Sequence, residues 1–335
     1  MKLRKIFAII LSLILVSSVF CGCDRKVYIT TGLKNNEIFK LSGNPCSIGQ
    51  IMLILMAEKN RYEADFGTDI WQYENDNLDV NLEKEIKEKA KKQLAKLKTV
   101  ELLGDEHKIV LEDEEKELLK EAANEYYLSL TEKEVELLKV KEDDVLKLYT
   151  SFYIADLVYD KLTKDVNLEV SDEEARVVKC KYIFIDASDD LEAARSEANE
   201  VYELLVAGND FNSVAKQYSD SEEIDALFSR NTVDANFEEE IFSLVQGQTS
   251  KVVENEDGCY IFICVSDYLE AETLANKDKI IAEYKKSEYE KIYIPFEAEQ
   301  TFEFNTKVWE KVKLSKYSDV TTSSLYEVYN KYFNK

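Results

Sequence analysis

The sequence predicts an α+β chain in which a helical lobe precedes a smaller domain of mixed strands and helices. Apolar residues recur every three or four positions through most of residues 45–172, which is the spacing of one face of a helix. After Ser171 the pattern changes to short runs of Val, Ile, Tyr and Phe separated by turn residues, as is typical of strands. Because the 335 residues include only two prolines and nine glycines, long elements with short connections are expected.

The N-terminus has the layout of a signal peptide. Three cations within the first five residues precede an apolar run of about 15 residues, shorter than the roughly 20 that span a bilayer. A permanent membrane anchor is therefore the weaker alternative. Ordinary cleavage is disfavoured because Gly22 directly before Cys23 resembles the lipobox of bacterial lipoproteins. We predict that residues 1–22 are removed and that lipid on Cys23 holds the chain on the outer face of the plasma membrane.

The chain is strongly acidic. Its formal net charge is −24, and removing the three cations of the predicted signal peptide makes it −27. A charge of this sign excludes nucleic acid as a natural partner. It also repels anionic lipid headgroups, so we expect contact with the membrane through the lipid anchor only. Simple solubility is an equally good explanation of the charge.

The scarce residues argue against several kinds of site. His107 is the only histidine, so zinc sites and histidine-based triads lack their usual ligand or base. Cys46, Cys180, Cys259 and Cys264 form no C-x-x-C pair. We therefore expect neither a metal site nor a cofactor. The last three cysteines lie in strand-like apolar runs, where a cysteine is usually a small buried hydrophobe, and a disulfide is the alternative.

The helical lobe is predicted over residues 45–172. Its clearest helix should end at Gly104 and carries an apolar stripe formed by Leu82, Ile86, Ala90, Leu94 and Leu97. Further helices are expected over about 112–130, from the capping box at Thr131, and over about 143–162. Their apolar faces are too broad to leave in water, so the helices must pack together.

The two ends of the mature chain are predicted to meet at this lobe. Residues 23–44 should form a tether and a lead strand between Val27 and Leu41. Residues 269–335 should form a helix over about 271–292 and a tail that return to the lobe and make it discontinuous in sequence. The helix needs a partner for the apolar side chains Leu274, Ile280, Ile281 and Tyr284.

Residues 173–268 predict a compact mixed domain. Its expected order is a strand over 177–185, a helix over 190–207, a second helix through Val214 and Tyr218, a loop with Leu227 and Phe228, a short helix over 237–244, and strands over 251–253 and 259–265.

Six short motifs follow one another through this domain. They are residues 182–185 (YIFI), 208–211 (GNDF), 215–219 (AKQYS), 237–244 (FEEEIFSL), 247–250 (GQTS) and 258–261 (GCYI). In this order they resemble the parvulin-type peptidyl-prolyl isomerases, in particular the extracytoplasmic foldases of the PrsA and SurA type. The resemblance implies a small antiparallel sheet flanked by helices, joined to a helical chaperone lobe.

The candidate active site departs from that family. Both positions at which the family usually has a histidine are tyrosines, Tyr182 and Tyr260. The loop at 220–228 is shortened and lacks the family's glycines. The resemblance still implies an apolar pocket for proline, lined by Leu227, Phe228, Val233 and Phe237. We expect weak or absent isomerase activity and assign no catalytic residue.

These observations predict an anchored extracytoplasmic foldase or chaperone. Its partners would be unfolded or partly folded exported polypeptides, bound through the helical lobe and the parvulin-like domain, and a homodimer stays open. Twenty tyrosines suit a surface that meets varied apolar segments, with core filling as the alternative. A working peptidyl-prolyl cis-trans isomerase, or rotamase, is the alternative function. A solute-binding lipoprotein is disfavoured because the chain lacks two similar α/β halves.

The lipobox-like sequence predicts that Cys23→Ala releases the protein from membranes, because the thiol that would carry the lipid is lost. Fractionation after a carbonate wash measures this. Cys21→Ala, on the removed side of the cleavage site, is the matched control and should stay with the membrane. Recovery of the Cys23 variant in the membrane fraction would contradict the prediction.

Overall fold

The computed structural model describes residues 27–28, 32–72, 81–166, 169–187 and 190–333. The predicted signal peptide and Cys23 lie outside these residues. The chain forms two compact units: the first contains residues up to Lys164 and from Glu288 onward, and the second contains Asp165–Ser287. Sequence analysis placed the corresponding boundaries after residues 172 and 268. Among the described residues, no helix combines the length and apolarity needed to cross a bilayer.

The first unit contains a four-stranded sheet built from both ends of the chain. Its strands are β1 (Val27–Tyr28), β2 (Glu37–Leu41), β3 (Asn44–Ser47) and β8 (Phe302–Phe304). Their order is β1-β8-β2-β3, with β1 parallel to β8 and the other pairs antiparallel. The predicted lead strand is thus two short strands, and Pro45, expected to open the helical lobe, lies in the edge strand β3, where a missing N–H is tolerated.

Helices make up most of the first unit. They are α1 (Ile48–Phe66), α2 (Leu82–Glu106), α3 (Asp113–Ser129), α4 (Glu132–Leu138) and α5 (Glu142–Thr163), followed near the C-terminus by α11 (Thr306–Trp309) and α12 (Leu325–Phe333). Every residue of α1 from Ile48 to Asn60 is buried, which places this helix at the centre of the core. The stripe predicted on α2 faces that core through Ile86, Ala90, Leu94 and Leu97.

Gly104 does not end α2, contrary to the sequence prediction. The helix continues to Glu106. A Cβ at Gly104 would lie 3.0 Å from Cγ2 of Ile154 and 3.2 Å from Cγ2 of Val158. Gly104 therefore serves close packing of α2 against α5 rather than helix termination.

Buried lysines on α1 and α2 hold the C-terminal tail against the helices of the first unit. Lys87 on α2 donates to the carbonyls of Trp309, at 3.2 Å, and Val312, at 2.7 Å. Its ammonium also lies 5.0 Å from the centre of the Trp309 ring. Lys59 on α1 is 1% exposed and donates to Glu63 at 2.7 Å and to the carbonyl of Val320 at 3.5 Å. These donors satisfy tail carbonyls that burial would otherwise leave unpaired.

Glu134 holds the same tail through its carboxylate. It caps α4 by accepting from the N–H of Thr131 at 2.8 Å, and it accepts from the N–H groups of Thr321 and Thr322, both at 2.9 Å. The Thr322 hydroxyl donates a further bond at 2.9 Å. Burial alone would raise the pKa of Glu134, but these hydrogen bonds outweigh it and lower the pKa to about 2.

The second unit contains an antiparallel sheet flanked by helices, which confirms the predicted α+β class. Its elements are α6 (Asp172–Ala175), β4 (Val177–Asp186), α7 (Leu191–Val206), α8 (Phe211–Tyr218), β5 (Asp225–Ser229), α9 (Ala235–Ser243), β6 (Val253–Glu254) and β7 (Gly258–Ser266), followed by α10 (Glu270–Glu299). The strand order is β5-β4-β7-β6. Two corrections follow: residues 225–229 form a strand rather than a loop, and the strand expected at 251–253 is shorter and lies at Val253–Glu254.

The long helix α10 differs from its prediction in length and in its contacts. It extends to Glu299 rather than Ile292, and the division between the two units falls within it. Leu274 and Tyr284, which were expected to need a partner, are 61% and 43% exposed. In the first unit the helix packs instead through Tyr289 and Tyr293, which join a buried cluster with Val100, Leu103 and Val158.

Glu134→Gln should lower the free energy of unfolding by about 2–4 kcal/mol at neutral pH. An amide cannot accept all of the hydrogen bonds that the Glu134 carboxylate accepts from Thr131, Thr321 and Thr322. The folded-state pKa of Glu134 lies below its unfolded value, so its stabilisation is present above about pH 4.5 and is lost as the pH falls toward 2. Urea unfolding at several pH values measures both effects. Glu132→Gln, an exposed change in the same helix, is the control, and equal losses in the two variants would refute the prediction.

Candidate functional site

The candidate site lies on one face of the second unit's sheet. Side chains alternate between the two faces of a strand, so Tyr182 and Phe184 on β4 share a face. On β7, Tyr260 and Phe262 share the same face, because Tyr182 pairs with Phe262 and Phe184 pairs with Tyr260. The opposite face carries Ile183, Ile185 and Ile261 and is covered by α7 and α8. The tyrosines therefore lie on the face that α7 and α8 leave free.

Aromatic rings line this face, which we call the ring face: Tyr182, Phe184, Phe228, Phe237, Tyr260 and Phe262. The Tyr260 ring lies 4.7 Å from Phe184 and 4.9 Å from Phe237 between centroids. Phe262 lies 5.7 Å from both Phe228 and Phe237, in edge-to-face contact. Phe237 and Phe262 are buried, whereas the other four rings are half-buried. The face thus offers apolar surface on a base that is held by ring packing.

Gly258 sets the position of Tyr260. A Cβ at Gly258 would lie 2.2 Å from the carbonyl oxygen of Ile185, so only glycine allows the two strands to approach at this point. From Gly258 the chain enters β7, and Tyr260 follows two residues later on the ring face. The family-like motif at 258–261 therefore has a structural reason that does not depend on the residue at 260.

The polar groups of the site are hydroxyls. The Tyr182 hydroxyl lies 3.3 Å from Oγ of Ser221. Ser221 donates its own hydrogen to the carbonyl of Glu223 at 2.6 Å, so its oxygen accepts from Tyr182. The loop is fixed to β4 because the N–H of Phe184 donates to Oγ of Ser219 at 3.1 Å. These bonds hold Ser221 beside Tyr182.

Tyr260 remains a neutral phenol. Burial raises its pKa above the usual value, and the carboxylates of Asp257 and Asp186 act in the same direction. Its hydroxyl is thus a hydrogen-bond donor throughout the physiological pH range. Among the described residues, no group of His, Cys, Asp and Glu is arranged to hold a metal ion.

The structure brings together most of the residues that sequence analysis placed in the site. Phe228, Val233 and Phe237 join one apolar cluster with Tyr182 and Tyr260. Leu227 does not. It is 56% exposed, and because it neighbours Phe228 on β5 it points to the opposite face of the sheet. The sequence prediction treated this segment as a loop and therefore missed the alternation.

Three residues of the site were not predicted: Phe184, Phe262 and Ser221. The first two lie two positions after Tyr182 and Tyr260 on strands that had been located, so the period of two along each strand was the signal that would have found them. Ser221 lies in an irregular loop, where spacing gives no such signal.

Comparison with known proteins agrees with the resemblance found in the sequence. Residues 178–266 match the family model described as "Rotamase: PPIC-type PPIASE domain". Over 159 residues the chain is 33% identical to the foldase protein PrsA of Caldanaerobacter subterraneus subsp. tengcongensis, a match that covers 43% of this chain and 51% of that protein. The chain thus spans about half the length of this curated relative. The predicted resemblance to the parvulin-type foldases is confirmed.

Solved structures of such proteins also align with the chain. A peptidylprolyl isomerase (PrsA) of Bacillus cereus is 17% identical, with a TM-score of 0.38, over 77% of this chain and 97% of that one. A SurA-like chaperone of Campylobacter jejuni is 12% identical, with a TM-score of 0.28, over 80% of this chain and 99% of that one.

A site without imidazole should show no titration near neutral pH. We expect the affinity for a capped, uncharged proline-containing peptide to be constant between about pH 5.5 and 8.5, because the ring face has no imidazole and burial raises the pKa of Tyr260. In Tyr182→His the affinity for the peptide should change near about pH 6.5. Binding should be weaker at lower pH, because an imidazolium is more strongly hydrated than a neutral imidazole. Fluorescence anisotropy of a labelled peptide measures both proteins. A wild-type affinity that changes near pH 6.5 would overturn this account.

Proposed function

We propose that this protein is an extracytoplasmic foldase, anchored by lipid on Cys23, that binds unfolded or partly folded exported polypeptides. The observation that carries the proposal is an intact ring face from which both of the family's usual histidines are missing. Phe228 and Val233, both half-buried, provide an apolar surface over the buried ring of Phe237, and Tyr182 and Tyr260 provide hydroxyls. Such a surface suits capture of an apolar or proline-containing segment.

The chemistry of proline isomerisation favours binding over efficient catalysis. Rotation about an X-Pro bond crosses a barrier of about 18–20 kcal/mol that is set by amide resonance. Lowering this barrier requires a dry pocket and polar groups that favour the twisted amide. Here the ring face is open enough that four of its six rings are half-buried, and the Tyr182 hydroxyl is engaged with Ser221. Isomerase activity is the second candidate function. It is supported by the ability of a tyrosine hydroxyl to donate a hydrogen bond to the amide.

The first unit offers a separate surface for clients at the end of α1. Phe66 is 66% exposed, and its ring lies 6.1 Å from Tyr62, which in turn lies 6.2 Å from Trp71. We call these three residues the aromatic end of α1. Asp65 and Asp69, close to Phe66 in the sequence, are exposed, and Glu63 accepts from Nε1 of Trp71 at 2.7 Å. Exposed rings bordered by acidic groups suit an unfolded segment that carries apolar and cationic residues.

Six of the twenty tyrosines are buried and therefore unsuited to client binding. Tyr126, Tyr149 and Tyr329 are buried in the core of the first unit, where Tyr149 donates to the carbonyl of Leu325 at 2.7 Å. Their burial favours the core-filling explanation of the tyrosine content. The proposed client surface is accordingly small and lies at the aromatic end of α1 and on the ring face.

The proposal predicts different effects for changes at the two surfaces. Phe66→Ser should weaken protection of a reduced, unfolded cationic protein against aggregation by about fivefold or more, because an exposed aromatic anchor is lost. Phe237→Ala should weaken proline-peptide binding while leaving most of that protection. Light scattering measures protection, and a coupled proline-isomerisation assay of the same samples measures catalysis. The wild-type rate of isomerisation should stay close to the uncatalysed rate.

Val110→Ser is the matched control for Phe66→Ser, since Val110 is 78% exposed in the first unit but lies outside the aromatic end of α1. It should leave protection unchanged. If Phe237→Ala removes both protection and a strong isomerase activity, the ring face is a catalytic site and the second candidate function replaces the first. If no variant changes protection, the client surface lies elsewhere.

A further inference from the structure

Two cysteines face each other across the centre of the second unit's sheet. Cys180 on β4 pairs directly with Cys264 on β7. Both side chains are buried, at 0% and 1% exposure, in the apolar cluster that also contains the rings Tyr182, Phe237 and Phe262. Because directly opposed residues on one face of an antiparallel pair have Cβ atoms about 4.5–5.5 Å apart, the two thiols are neighbours across the strands. Both cysteines are free thiols in this structure.

Backbone hydrogen bonds show which kind of pair this is. The N–H of Cys264 donates to Gln248 at 2.9 Å, and its carbonyl accepts from Gly247 at 2.8 Å. Both backbone groups of Cys264 therefore point away from β4. The N–H of Tyr182 donates to the carbonyl of Ile224 at 2.8 Å, on the side of β4 that faces away from β7. Backbone groups two residues apart on a strand point to the same side, so those of Cys180 also point away from β7. Cys180 and Cys264 are thus a non-hydrogen-bonded pair.

This geometry matches the requirements of a disulfide. In a non-hydrogen-bonded antiparallel pair the Cα atoms lie about 4.5 Å apart and the side chains are at their closest. Disulfides join residues whose Cα atoms are about 4.4–6.8 Å apart. The register of β4 and β7 shifts between Lys179 and Cys180, and Cys180 opens the regular ladder that continues to Asp186.

We propose that Cys180 and Cys264 form a cross-strand disulfide when the chain folds in an oxidising environment. The two thiols together release two protons and two electrons as the S–S bond forms. The oxidant is a second disulfide, of a small thiol compound or of a thiol–disulfide oxidoreductase, and it is reduced to two thiols. The inference rests on the proposed function only for the extracytoplasmic, oxidising location, whereas pairing of the two thiols during refolding in vitro is independent of it.

The bond forms during folding rather than afterwards. In the folded sheet burial raises the pKa of Cys180 to about 12 and also raises the pKa of Cys264, and the thiolate is the reactive species. Once β4 and β7 have paired, the reduced pair is protected from oxidants. Exposure to a disulfide during refolding therefore decides the final state.

The cross-link would act directly on the ring face. Tyr182 and Phe262 form the neighbouring pair on the same face of the sheet. The next pair on that face is Phe184 with Tyr260. A covalent bond at Cys180 and Cys264 fixes the spacing of the two strands that carry these rings. The oxidised protein should therefore have a more stable second unit and a better-ordered peptide-binding surface.

The other cysteines provide matched controls. Cys259 pairs with Ile185 and belongs to the cluster on the opposite face of the sheet. Cys46 lies in the first unit, in contact with Gln50. Cys259 therefore faces away from Cys180 across the sheet. Cys259→Ala is especially useful, because Cys259 and Cys264 fall in one proteolytic peptide and the variant removes that ambiguity.

The test is to unfold the full-length reduced protein and to refold it with and without excess oxidised glutathione. Peptide mapping without reduction should find Cys180 linked to Cys264 in the wild type and in Cys259→Ala. The link should be absent from Cys264→Ala. The oxidised protein should melt higher than the reduced protein by on the order of 10 °C, and a reductant should remove the difference.

If oxidised glutathione is added only after the reduced protein has folded, the thiols of Cys180 and Cys264 should stay free for far longer than when the protein refolds in the presence of oxidised glutathione. Refolded wild type that retains two alkylatable thiols at Cys180 and Cys264 would overturn the proposal. So would a link from Cys180 to Cys259, or a glutathione adduct at either residue in place of the link. Because oxidised and reduced wild type are compared directly, the result holds even if a cysteine variant fails to fold.

Discussion

The first unit depends on the pairing of β2 with β8. These strands lie near opposite ends of the described chain, and Ser42 beside β2 donates to Gln300 beside β8 across a separation of 258 residues. Closing so long a loop costs conformational entropy, although the cost grows only slowly with length. Apolar packing offsets it, since the ring of Phe39 packs against that of Phe302 in a tilted arrangement, with 5.1 Å between centroids, and Phe304 meets Trp309 edge to face. The tail contacts of Lys59, Lys87 and Glu134 form only where this pairing has brought the tail back.

The parts of the fold that local pattern determines could be predicted from the sequence. The stripe on α2 and the capping box at Thr131 depend on neighbours three or four residues away, and both are present. Errors occurred where a distant partner decides the outcome. Gly104 was taken for a helix end because its partner, Ile154, lies on another helix. Lys87 and Glu134 are charged residues of a kind usually found on the surface. The tail groups that form hydrogen bonds with them in the interior lie far along the chain.

The candidate site shows the same division. Tyr182, Tyr260 and Phe237 could be located because the motifs around them fix strands and a helix. Leu227 was misplaced because the segment before it has no strand pattern, and only pairing with β4 makes it a strand. Tyrosines stand at the two positions where the resemblance implies histidines, and the close approach at Gly258 positions Tyr260 without depending on which residue stands at 260.

The division of the first unit also has a consequence for the order in which the protein matures. On the proposed export route the chain emerges on the outer face of the membrane N-terminus first, and domains generally fold as units when they are complete. The second unit is complete once Ser287 has emerged, whereas the sheet of the first unit still lacks β8. The earlier-synthesised helices must therefore wait, with their core face uncovered, while the later-synthesised domain folds. A protein proposed to shield unfolded chains passes through a stage in which its own largest core needs shielding.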